Sequence, residues 1–163
     1  MLSFASSLSP DSEALAIFVN EKYGYKDKKA ILPSNIVEKV NSCLATLKGK
    51  KEQEDITSFE ISHKKTCFVI RVKANYASYF PQEIGGSFFT KLKQYKKVSK
   101  IDLYPDSLVF DKTKLASFFS QFIFGFNLKS YTFNKYKTLN KEKINKKINC
   151  KIITSLKETV QKE

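Results

Sequence analysis

The sequence predicts an α/β domain, a mixed and mostly parallel sheet with helices on both faces. Three observations predict it. Short apolar runs with β-branched and aromatic members alternate along the chain with longer segments of helical period. The run CFVIRV, Cys67–Val72, is almost continuously apolar, as a strand covered on both faces must be. A chain of 163 residues with 42% hydrophobic content is sized for one core, so residues 1–163 read as one domain.

The elements follow in order. Residues Ala14–Val19, ALAIFV, read as a buried strand. Tyr23–Lys29 is a polar, lysine-rich loop. Pro33-Ser34 offers a helix start, with Ser34 as the acceptor for first-turn amides. Ile36, Val37, Val40, Cys43, Leu44 and Leu47 then form one apolar stripe, and Gly49 closes the helix. Ile56–Ile61 alternates, as a strand with one wet face does. Cys67–Val72 is the central strand. Pro81 opens a second helix at a tolerated first-turn position, with Ile84, Phe88, Leu92 and Tyr95 on its buried face. Ile101–Tyr104 is a short strand, Pro105-Asp106 a turn, and Ser107–Phe110 a brief extended piece. Asp111 or Thr113 caps a third helix, whose Leu115, Phe118, Phe119, Phe122, Ile123 and Phe126 share one face. Its opposite face holds Ser117, Ser120 and Gln121 rather than a lysine row, which argues against a membrane-surface helix. Tyr131–Lys147 reads as a long polar loop, Ile148–Thr154 as a last strand, and Ser155–Glu163 as a fraying helix or connection.

Charge is the main compositional bias. Lysine and arginine number 29 against 16 acids, a formal charge of +13, and Arg71 is the one arginine. Lysine is a hydrated point charge, whereas arginine is favoured for bidentate phosphate and guanine contacts. The skew therefore fits a solvated surface, or weak, non-specific attraction to nucleic acid or another polyanion. The best candidate patch is Lys91, Lys93, Lys96, Lys97 and Lys100, with Tyr95 among them; Lys141, Lys143, Lys146, Lys147 and Lys151 come next.

Catalytic and metal-binding patterns are sparse. Cys43, Cys67 and Cys150 lie far apart with no Cys-x-x-Cys pair, which fits a reducing compartment. The N-terminus has no basic n-region, and its longest apolar run is too short for a membrane span. A cytoplasmic protein is expected. The single histidine, His63, has no partner for a triad or zinc site. Glu52, Glu54 and Asp55 form an acidic knot in a charged loop, not a set of carboxylates aimed inward. Gly85-Gly86 falls inside a helix, where glycine costs about 1 kcal/mol relative to alanine, so close packing of that helix on the sheet is expected.

One segment carries more. In Gly125–Thr138, GFNLKSYTFNKYKT, the residues Ser130, Tyr131, Phe133, Lys135, Tyr136, Lys137 and Thr138 match a run that closes the N-terminal domain of leucyl aminopeptidases. There a helix ends in a glycine-containing turn and reads roughly Ser-Tyr-Arg-Phe-Asp-Lys-Tyr-Lys-Ser/Thr. Thr132 replaces the usual arginine and Asn134 the usual aspartate. The order of strands and helices resembles that domain over essentially the whole chain.

The resemblance implies a macrodomain-like N-terminal domain that precedes a catalytic half holding two divalent metals, zinc or manganese. That half removes N-terminal residues from peptides. Its signature Asn-Thr-Asp-Ala-Glu-Gly-Arg is missing here, so no catalytic, cofactor or metal residue carries over. The chain is expected to be inactive alone. Its implied partners are the catalytic domain of the same protein and, through it, further copies in a homo-oligomer.

Overall fold

The computed structural model describes residues 2–95, 97–131 and 148–155. In chain order the elements are β1 (Leu2–Ala5), β2 (Ala14–Asn20), α1 (Ser34–Lys48), β3 (Ile56–Ser62), β4 (Lys65–Val72), α2 (Phe80–Gln94), β5 (Lys100–Tyr104), α3 (Lys112–Ser130) and β6 (Asn149–Ile153). They build one six-stranded sheet in the order β1-β6-β5-β2-β4-β3. Every neighbouring pair is parallel except β3 with β4. This is the mixed, mostly parallel α/β fold that the sequence predicts.

The two faces follow from the pleat. On β2, Leu15, Ile17 and Val19 face α1, joined by Cys67 and Val69 of β4. Ala14, Ala16 and Phe18, with Phe68, Ile70 and Val72, face α2 and α3. Small alanines on that side leave room for the large rings of the helices. Phe18 meets Phe118, Phe119 and Phe122 edge-on, at centroid distances of 6.3, 5.8 and 5.2 Å. Of the predicted α3 stripe, Leu115, Phe118, Phe119, Phe122 and Phe126 are buried, and Ile123 is half-buried against the same core. Among the described residues no helix is long and apolar enough to cross a membrane.

Several local expectations are corrected. The α1 cap is Pro33, not Ser34: the Pro33 carbonyl accepts from the amides of Ile36 and Val37 at 2.9 and 3.0 Å, and no side chain caps the helix. Ser107–Phe110 forms no strand: Ser107 ends a single 3-10 turn, Pro105–Ser107, and Leu108 after it is extended. Asp111, rather than Thr113, caps α3 by accepting from the Lys114 amide at 2.8 Å. Helix α3 runs past Phe126, the last residue of the predicted stripe, to Ser130, so Gly125 lies inside it. The close approach at Gly85 is helix to helix, not helix to sheet: a Cβ there would stand 2.1 Å from the Phe122 carbonyl oxygen. Strand β1 went unpredicted. It has four residues and gains its identity by pairing with β6, a contact invisible in local pattern.

Candidate functional site

The chain leaves the neighbouring strands β2 and β5 toward opposite faces of the sheet. From β2 it runs to α1 on one side; from β5 it runs to α3 on the other. In open α/β sheets such a switch point opens a crevice at the carboxyl ends of the strands. Here the crevice has a volume of about 360 Å³. One wall is the loop after β2, with Lys26, Lys28, Lys29 and Ile31; another is Phe110, Asp111, Lys112 and Leu115 around the start of α3. Ile153, Thr154 and Ser155 after β6 close it.

Buried hydrogen bonds hold this frame. Ser107, fully buried, accepts from the Phe18 amide at 2.8 Å, and its hydroxyl lies 3.0 Å from the Phe18 carbonyl and 2.6 Å from that of Tyr104. It thus continues the β2–β5 pairing past the turn. The Lys26 amide donates to the Ser107 carbonyl at 2.9 Å and the Lys26 amine to the Phe110 carbonyl at 3.2 Å, which ties the two loops together. Asp27 accepts from the amides of Ile31 and Leu32 at 2.8 and 2.9 Å and from the Tyr104 hydroxyl at 2.8 Å. Burial, and then the Asp27 bond, push the Tyr104 phenol well above its ordinary range. Asp106 accepts from the Thr154 hydroxyl at 2.5 Å and from the Ser155 amide and hydroxyl at 2.9 and 2.8 Å.

At the other end of the strands lies a second polar cluster. Asp102 is fully buried; its Oδ2 accepts from the Ser9 amide at 2.8 Å and the Ser12 hydroxyl at 2.7 Å. The Lys65 amine lies 2.7 Å from the Ser12 hydroxyl and 3.9 Å from Asp102, and burial lowers its pKa. This cluster ties the starts of β2, β4 and β5.

The predicted lysine patch lies at the end of α2 and the start of β5. Lys91 pairs with Glu54 at 3.6 Å and donates to the Ile56 carbonyl. Lys100 pairs with Asp11. Lys93 lies over the Phe89 ring, 5.7 Å from its centre, and Lys97 is exposed. Lys96 lies outside the described residues, as do Lys141, Lys143, Lys146 and Lys147. Of the acidic knot, Glu54 and Asp55 are taken up by Lys91 and Arg71. His63 is exposed in the turn between β3 and β4. Of the segment that resembles leucyl aminopeptidases, Ser130 is the last residue of α3 and Tyr131 the exposed residue that follows it. Phe133, Lys135, Tyr136, Lys137 and Thr138 lie outside the described residues.

Sequence reading missed the crevice. Its signal was the lysine-rich loop that follows the first long parallel strand, which composition alone presents as plain solvation. A two-metal site needs several ligands converging on one point. Among the described residues no group of three His, Cys, Asp or Glu side chains does so, and the residues present do not fit such a centre.

These features define a macrodomain-like α/β domain with a basic crevice at its switch point. A tomato leucine aminopeptidase variant is similar over 98% of this chain, with a TM-score of 0.64 and 14% identity. The macrodomain of Thermus aquaticus DarG is similar over 94% of this chain and 98% of its own, with a TM-score of 0.61 and 13% identity. At such identities the likeness is one of fold. This chain spans 34% of the tomato enzyme's length. No family model matches the sequence, and no curated protein does.

Proposed function

We propose that this chain is a non-catalytic N-terminal domain of the leucyl aminopeptidase type. Its role is to pack on a two-metal catalytic half, supporting assembly and the access of peptides to the site. The observation that carries this reading is the junction at Ser130. Helix α3 ends at that residue, and the Tyr131 amide closes its last turn on Asn127 and Leu128. The SYTFNKYKT run that resembles the family begins there. The fold likeness to tomato leucine aminopeptidase over 98% of this chain supports it further.

The experiment is to sequence the full transcript that encodes this chain. The reading expects the frame to continue into a half bearing Asn-Thr-Asp-Ala-Glu-Gly-Arg. A frame that stops soon after Glu163, or runs into an unrelated domain, overturns it.

A further inference from the structure

We propose that the small cavity at the amino ends of β1, β6 and β5 binds a free α-amino acid with a small side chain, its ammonium against Asp102 and its carboxylate against Lys151. This site lies at the opposite end of the strands from the crevice and does not depend on the aminopeptidase reading.

Two unmet charges select the ligand. Asp102 is fully buried, and its Oδ2 gathers the Ser9 amide, the Ser12 hydroxyl and, at 3.9 Å, the Lys65 amine. Its Oδ1 is buried without a hydrogen-bond partner. A carboxylate oxygen taken out of water calls for a donor, because leaving it unpaired is costly. The two oxygens of a carboxylate diverge, so Oδ1 is turned away from the donors on Oδ2, and Asp102 lines the cavity. Lys151 is the register partner of Asp102 on β6, which places both side chains on one face of the sheet. It is half-buried, lines the same cavity and makes no ion pair among the described residues. Asp11, the other acid of the cavity, is taken up by Lys100.

Charge and size narrow the class. Lys65, Lys100 and Lys151 stand against Asp11 and Asp102, so positive charge is in excess. A bare cation would add to that excess. A bare anion would leave the Asp102 Oδ1 without a donor. A zwitterion answers both, because its ammonium only donates and its carboxylate only accepts. The cavity has a volume of about 150 Å³, room for about five water molecules at about 30 Å³ each. A molecule the size of glycine fills it. Among the lining residues Ile101 and Cys150 are the apolar ones, too little wall for a large side chain.

The test is a two-dimensional amide NMR titration of the whole chain with glycine, with methylammonium and with acetate. Glycine is expected to shift the amides of Ser9, Asp102 and Lys151. Methylammonium and acetate each carry one of its two charges and should shift them at least about fivefold less at equal concentration. Lys151→Gln should weaken glycine binding by a similar factor, and the control Lys64→Gln, at an exposed position, should leave it unchanged. Asp102→Asn should abolish the shifts; if loss of the buried carboxylate unfolds that variant, Lys151→Gln and the three ligands still decide. If glycine at about 50 mM, enough to fill most of a millimolar site, moves none of these amides, the proposal is wrong. Methylammonium or acetate acting as strongly as glycine overturns it, because one charge would then suffice. Equal weakening by Lys151→Gln and Lys64→Gln also overturns it, because binding would then follow net charge rather than this cavity.

Discussion

Gly85 of α2 lies against the Phe122 carbonyl of α3, and Gly125 of α3 lies against the Gln82 carbonyl of α2, each with no room for a methyl group. A Cβ at Gly85 would stand 2.1 Å from the Phe122 oxygen, and one at Gly125 would stand 2.0 Å from the Gln82 oxygen. The obstacle is backbone in both cases, so it cannot swing away. Gly86 differs: its nearest neighbour would be 3.6 Å from an added Cβ.

Gly85→Ala and Gly125→Ala are therefore each expected to destabilise the domain, by about 1–3 kcal/mol or more, as overpacked cores do. Gly86→Ala should be neutral or stabilising by up to about 1 kcal/mol, because alanine is the better helix former. Urea midpoints of the three variants check this. Equal midpoints for Gly85→Ala and Gly86→Ala would show that the helices do not meet at Gly85.

Phe122→Ala should cost about 3–5 kcal/mol. Phe122 is fully buried and stacks or crosses with Phe18, Phe88, Phe118 and Phe119. A small domain has only about 5–15 kcal/mol in hand, so a large fall in melting temperature is expected. A variant that melts with the wild type would place the stripe outside the core.

Much of this was legible in the sequence, and the limits are physical. The Phe stripe of α3 and the apolar run of β4 carry their period in local order, so helix and central strand could be read directly. Gly85 could be read as a packing residue but not matched to Phe122, because periodicity names a face and not its partner. Strand β1 is defined by its pairing with β6, and the crevice by loops that are far apart in sequence. Lys28 and Lys112 are 84 positions apart, and no local pattern joins them.

Ser107→Ala should destabilise the domain by about 1–3 kcal/mol, the cost of leaving a buried donor unpaired. The Ser107 hydroxyl is the partner of the Phe18 amide. Ser107→Thr keeps the hydroxyl but must fit a methyl group at a fully buried site, so alanine is the cleaner probe. Denaturant melts read the loss, and faster hydrogen exchange of the Phe18 amide localises it. Unchanged exchange at Phe18 would contradict the assignment.

Stability should fall as pH rises above about 9. Burial raises the thiol pKa of Cys43, Cys67 and Cys150 from an ordinary 9.0, that of Cys150 to about 12. Burial also raises the phenols of Tyr25, Tyr76 and Tyr104 from 10.0. The unfolded chain then loses these protons before the folded one, so the stabilisation is whole below the unfolded values and is lost as pH climbs through them. Lys65, with its lowered pKa, acts in the opposite direction but is one group against six. Urea midpoints at pH 8 and pH 10.5 test the sign; a higher midpoint at pH 10.5 would reverse it.

The proposed role of this domain as part of an aminopeptidase is tested in the source cell with an antibody against it. That role predicts an immunoblot band roughly three times the 18.7 kDa of this chain, given its 34% share of the tomato enzyme. It also predicts that the antibody removes metal-dependent leucine-anilide hydrolysis from the extract. A band at the mass of this chain alone, with hydrolysis left in the supernatant, would contradict it.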